Sequence, residues 1–170
     1  RVHYRRRRAA GAPALKARGK LVNALLQRLP FQLTRAQNTV LAQIREDIGQ
    51  AHPMQRLLQG DVGSGKTVVA ALAALQCVEN GYQAAVMAPT EILAEQHYRK
   101  FAEWLAPLNV TVAWISGGIK KSDKKQWLKE ILQGDAQIVV GTHALFEDEV
   151  VFKNLGLAVI DEQHRFGVHQ

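Results

Sequence analysis

The sequence predicts an α/β fold: one domain on a mostly parallel sheet, with helices on both faces in three layers. Three observations carry that expectation. From residue 55 onward, short and nearly continuous apolar segments alternate with helical patterns, as strands buried on both faces do. A glycine-rich loop, residues 60–67, joins the first apolar segment to a helix. An acidic pair, Asp161-Glu162, closes the last apolar segment.

The elements follow in order. Residues 1–29 form a leading segment in which Leu21, Leu25, Leu26 and Leu29 recur at helical spacing until Pro30 ends the pattern. Residues 30–170 form the body. Thr34 caps a helix to Ile48, with Ala36, Val40, Leu41, Ile44 and Ile48 on one face. Residues 55–59 read as a strand, and 66–80 as a helix stopped by Gly81. Strands are expected at 83–88, 110–115, 136–140 and 157–160. Helices are expected at 90–105, capped by Thr90 with Pro107 beyond, and at 121–132 with a solvated lysine face.

Composition narrows the class. At 170 residues the chain is the size of one domain, long enough to bury roughly 70% of its unfolded surface. Its 47% apolar and 22% charged residues exclude a disordered tail, a collagen-like repeat and a coiled coil. The longest apolar run, residues 68–75, is far short of a bilayer span. The single cysteine, Cys77, excludes an internal disulfide framework and reads as a small core residue; a reducing, cytoplasmic setting fits. The net charge of +7 is local: residues 1–20 hold eight of the 22 basic residues and no acid, against 14 basic and 15 acidic residues in the rest. Arg5 to Arg8 either track phosphates or form a solvated stretch. The scattered His3, His52 and His97 are expected at the surface. Both ends look cut, as in an internal piece of a longer protein.

Gly60-Asp61-Val62-Gly63-Ser64-Gly65-Lys66-Thr67 matches the phosphate-loop pattern G-x-x-x-x-G-K-[ST] in full. The glycines let the backbone curl so that successive N–H groups point inward, and the helix start adds its positive dipole end. Lys66 reaches β- and γ-phosphates, and the Thr67 hydroxyl is a Mg²⁺ ligand. These residues predict ATP and Mg²⁺ as cofactors. In Asp161-Glu162-Gln163-His164, a buried strand presents carboxylates at its C-terminal end, where open α/β sheets bind ligands. Asp161 is expected to hold Mg²⁺ through water, and Glu162 to take the proton of the water that attacks the γ-phosphate. Gln163 and His164 are candidates for passing on the nucleotide state.

Weaker signals surround these two. Gln37 carries a donor and an acceptor that match the adenine edge, and Phe31 either stacks on the base or staples the following helix. Pro89, Thr90 and Glu91, the pair Ser116 and Gly117, and the triplet Gly141, Thr142 and His143 each follow a predicted strand. Such turns suit a nucleic-acid backbone held without sequence reading, although Thr90 serves equally as a helix cap.

In this order the segments resemble the first motor lobe of superfamily 2 helicases, a RecA-like P-loop NTPase fold. Residues 31–37 look like the adenine-reading Q motif, 60–67 like motif I, 88–96 like motif Ia and 161–164 like a DExH-type box. The longer strings Met87-Ala88-Pro89-Thr90-Glu91-Ile92-Leu93-Ala94-Glu95-Gln96-His97, Val139-Val140-Gly141-Thr142-His143-Ala144-Leu145 and Ile160-Asp161-Glu162-Gln163-His164-Arg165-Phe166-Gly167-Val168-His169-Gln170 are similar to those of the bacterial RecG family of branched-DNA helicases. Transcription-repair coupling translocases share most of them, but usually carry Glu where Gln163 stands and an aromatic residue where Ser64 stands. A nucleotide switch that never touches DNA is the reading from another class. The RecG resemblance covers residues 30–170. It implies a monomeric, ATP-driven DNA translocase that remodels stalled forks and Holliday junctions. It further implies a wedge domain upstream and a second lobe with arginine fingers, so that this chain alone turns ATP over poorly.

Overall fold

A computed structural model describes residues 19–48, 56–58 and 64–161. Its strands are β1 (Arg56–Leu58), β2 (Gln83–Met87), β3 (Val112–Ile115), β4 (Ile138–Gly141) and β5 (Leu155–Asp161). Its helices are α1 (Lys20–Arg28), α2 (Arg35–Ile48), α3 (Ser64–Glu79), α4 (Glu91–Leu105) and α5 (Lys121–Gln133), with 3₁₀ turns at Ala106–Leu108 and His143–Phe146. The sheet order is β1-β5-β2-β4-β3, and every pairing among these strands is parallel. Among the described residues no helix is long and apolar enough to cross a membrane.

The three layers follow from strand alternation. Ala84, Val86, Val112, Val140 and Val159 face a core shared with Val22 and Leu25 of α1, the body of α3, and Phe101 and Leu105 of α4. Ala85, Met87, Ala113, Val139 and Ile160 face the other way, onto Ile131 of α5, Leu145 and Val150. Residues 67–78 of α3 are all buried, which is why this segment is apolar on every side. Its one amide, Gln76, is paired with α2: Arg45 Nε donates to Gln76 Oε1 at 2.9 Å, and Gln76 Nε2 donates to the Arg45 carbonyl at 3.3 Å.

The leading helix α1 has no cap of its own, since Gly19 precedes it and its first turn holds no acid. Glu79, the last residue of α3, supplies both. Its carboxylate accepts from the N–H groups of Gly19, Leu21 and Val22 at 3.1, 2.6 and 2.9 Å. This places a negative charge on three orphan donors at the positive end of the helix. Glu79→Ala is expected to speed amide exchange at Leu21 and Val22 about fivefold, the scale of the ~1 kcal/mol a lost cap costs. Unchanged exchange in the variant would sink this role.

Cys77 is buried, as expected, and its thiol donates to the Gln83 carbonyl at 3.2 Å. Strand boundaries differ from the sequence pattern by one or two residues: β2 ends at Met87, β3 begins at Val112 and β4 begins at Ile138. β5 begins at Leu155, where a register shift beside Gln83 lets it pair earlier, and it runs through Asp161. β4 extends to Gly141 because that residue pairs with both Met87 and Ile115.

Candidate active site

The carboxyl ends of the strands divide into two halves. In one, β1 and β5 lie side by side with Leu58 opposite Asp161. The chain leaving β1 re-enters as α3, whose first turn holds Ser64, Gly65 and Lys66. Gly60, Asp61, Val62 and Gly63 lie outside the described residues, as do Glu162, Gln163 and His164 beyond β5. Also outside are His3, His52 and the Arg5 to Arg8 block.

Thr67 and Asp161 are 5% and 2% exposed. They meet through a residue the sequence reading placed at the surface. His97 is 0% exposed. Its Nδ1 lies 3.2 Å from Thr67 Oγ1, and its Nε2 lies 2.8 Å from Asp161 Oδ2. The surface expectation failed because His97 falls on the inner stripe of α4 with Ala94, Phe101 and Leu105. The spacing 94, 97, 101, 105 was the signal that could have found it.

The other half holds the ends of β2, β4 and β3, which are neighbours in the sheet. Ala88 N–H donates to the Gly141 carbonyl at 3.0 Å, and Thr142 N–H to the Ile115 carbonyl at 3.4 Å. The three predicted turns therefore form one continuous strip. The Glu91 carboxylate lies over Gly117 and Gly118, so close that a Cβ on Gly118 would come within 3.2 Å of Oε1. Thr90 caps α4, its Oγ1 accepting from Leu93 N–H at 3.2 Å. Thr142 caps the following 3₁₀ turn through Ala144 N–H at 3.4 Å. Two residues expected to face nucleic acid are instead buried. Ser116 Oγ accepts from Gly118 N–H at 3.3 Å and shapes its turn, and Gly141 is enclosed by Ile115 and Leu145. Glu91, Gly117 and His143 are the exposed members, with Pro89, Thr90 and Thr142 half-buried.

At the start of α2, Thr34 and Gln37 form a reciprocal capping box. Gln37 N–H donates to Thr34 Oγ1 at 3.1 Å, and Thr34 N–H to Gln37 Oε1 at 2.8 Å. The Gln37 oxygen is thus already an acceptor, and its Nε2 is the group available to a base. Phe31 packs edge-on against Trp104 at 6.4 Å and 66°. Trp104 lies in the last turn of α4, at the end remote from the Thr90 cap.

Residues 34–170 match the DEAD/DEAH box helicase family. The chain is 53% identical to ATP-dependent DNA helicase RecG of Aquifex aeolicus, over 94% of this chain and 20% of that protein. It is 55% identical to RecG of Haemophilus influenzae, over 88% of this chain and 22% of that protein. It therefore spans about a fifth of the length of these relatives. A solved structure of RecG bound to a three-way DNA junction superposes with a TM-score of 0.81 at 48% identity, over 96% of this chain and 23% of that one. A hypothetical ATP-dependent RNA helicase from Sulfolobus tokodaii shares the fold, with a TM-score of 0.59 at 16% identity over 84% of this chain and 50% of that one. The likeness to RecG anticipated from the strings thus extends over nearly the whole chain. With the strand before the phosphate-loop sequence and the acidic strand side by side, and the family match running from Thr34 to the last residue, the chain belongs to the DEAD/DEAH box helicase family.

Proposed function

We propose that this chain is the ATP-binding motor lobe of an ATP-dependent, cytoplasmic DNA helicase of RecG type. Its substrate in this reading is branched DNA, such as stalled forks and Holliday junctions in recombination and repair. The observation that carries the proposal is the meeting of Thr67 and Asp161 at the strand ends, directly beside the strip formed by β2, β4 and β3.

The donor set fits Mg²⁺. Thr67 and Asp161 offer one hydroxyl and one carboxylate, both hard oxygen donors, and Mg²⁺ takes its remaining ligands from water and substrate phosphates. Among the described residues no group of three or more His, Cys, Asp or Glu forms a caged metal site. When bound, the ion draws charge from the β- and γ-phosphate oxygens.

The chain's own residues do the rest. Backbone N–H groups of Gly60, Asp61, Val62, Gly63, Ser64 and Gly65 cradle the phosphates, and Lys66 neutralises the transferred group. Glu162 accepts the proton of the attacking water as its oxygen bonds to the γ-phosphorus and the bridging bond breaks toward ADP. Gln163 and His164 pass the nucleotide state to the DNA-holding parts. Gln37 meets the adenine edge through Nε2, and Phe31 steadies the start of its helix against Trp104. Pro89, Thr90, Glu91, Gly117, Thr142 and His143 line the path of a DNA backbone. An arginine finger from a second lobe completes the site, and the protein works as a monomer.

The test is the ATPase rate of the full-length protein with a three-way junction, linear duplex, single strand and RNA at one salt concentration. A junction-selective rise is expected. Equal stimulation by linear duplex would point to a coupling-type translocase, and RNA stimulation to another helicase branch. No response to any nucleic acid would favour a nucleotide switch.

A further inference from the structure

His97 takes no part in the mechanism above, yet both of its ring nitrogens are committed to the two side chains assigned to Mg²⁺. It is fully buried on α4, with Phe101 edge-on to its ring at 6.4 Å. Nδ1 meets the Thr67 hydroxyl at 3.2 Å and Nε2 meets Asp161 Oδ2 at 2.8 Å. One neutral tautomer satisfies both contacts: Nε2–H donates to the carboxylate, and Nδ1 accepts the hydroxyl proton.

The arrangement answers a requirement of the hydroxyl ligand. A threonine oxygen that binds a cation must turn a lone pair toward the ion and its single proton elsewhere. His97 Nδ1 gives that proton a fixed destination. At its other side His97 occupies Oδ2, which leaves Oδ1 to face the ion or its water. The sequence Thr–His–Asp also has the connectivity of a nucleophile–base–acid triad. Thr67 does not serve as such a nucleophile, because it is 5% exposed and sits in the first turn of the phosphate-loop helix.

We propose that His97 is a positioning residue that orients the Thr67 hydroxyl and the Asp161 carboxylate to receive Mg²⁺ with the nucleotide. This rests on the reading of Thr67 and Asp161 as the Mg²⁺ ligands. Residues that orient metal ligands in this way typically contribute about 10- to 100-fold in metal affinity.

The experiment is equilibrium binding of a fluorescent ADP analogue to the full-length protein, with saturating Mg²⁺ and with EDTA. The readout is the ratio of the two affinities. His97→Ala is expected to reduce the Mg²⁺ enhancement by about 10- to 100-fold while the affinity in EDTA stays at the wild-type value. His97→Gln, which retains a donor and an acceptor, is expected to recover most of the enhancement. An unchanged enhancement in His97→Ala, or an equal loss with and without Mg²⁺, would overturn the proposal. Thr67→Ala separates the two layers of the argument. If it loses the enhancement while His97→Ala keeps it, the positioning role alone fails; if it keeps the enhancement, the assignment of the Mg²⁺ ligands fails as well. Should the His97 variants not fold, ¹⁵N-histidine spectra of the wild type decide. A shift at His97 Nδ1 on adding Mg²⁺ to the ADP complex is expected, and no change at either ring nitrogen would refute the role.

Discussion

Asp161→Asn in the full-length protein is expected to lower the DNA-stimulated ATPase rate by about 10²- to 10³-fold, the scale of removing one preorganised electrostatic group from a closed site. The substitution changes charge and little else. Asparagine keeps the shape of the side chain, and its carbonyl can still accept from His97 Nε2–H, now 2.8 Å from Asp161 Oδ2. The strand end stays paired with Leu58 through the backbone. What disappears is the anionic oxygen donor, on a residue only 2% exposed. DNA affinity and the urea midpoint should therefore remain near the wild-type values while turnover falls. A variant that hydrolyses ATP at close to the wild-type rate would remove Asp161 from the chemistry.

Gly141→Ala is expected to destabilise the 170-residue chain by about 3 kcal/mol or more, the upper range for overpacking a closed core. An added Cβ would lie 2.0 Å from the Ile115 carbonyl oxygen and 3.2 Å from Leu145 Cδ2. The first obstacle is backbone and cannot rotate aside, so β3 and β4 must part at the register pair Ile115–Gly141. Gly81→Ala is the informative contrast. Nothing lies within 4 Å of a Cβ there, but its φ is +83°, so only the left-handed backbone is penalised, by about 1–2 kcal/mol. Urea unfolding of the two variants should rank them in that order. Equal midpoints would show that the strand ends separate without cost.

Much of this was legible in the sequence because its determinants are local. The alternation of apolar strands with helices, the Thr34 and Thr90 caps and the Gly81 stop all depend on neighbours within a few residues. The strands that precede the phosphate-loop sequence and the acidic pair follow the same local pattern, and the sheet places them side by side. Polar groups recruited from a distance were not legible. His97 looked like one more scattered histidine, since nothing near it in sequence shows that residues 30 positions before and 64 after would close on its ring. Glu79 reads as the end of an apolar helix, not as the cap of another one. Gln83 opens a strand and is 3% exposed, yet its amide bonds to the carbonyls of Ile131 and Ala136 and to Asn154 N–H. Periodicity reports which face is inside, and it is silent on what a buried polar group finds there. Ser116 erred the other way: a small polar residue after a strand suggested an outward contact, and its hydroxyl turned inward to close its own loop.

The Glu79 contact gives α3 a mechanical meaning. This helix of 16 residues is a stiff strut about 24 Å long. One end carries Thr67 and opens from the phosphate loop; the other grips the first turn of α1 through three hydrogen bonds to one carboxylate. A pull on Gly19 would therefore load Glu79 and, through it, the end of the strut remote from Thr67.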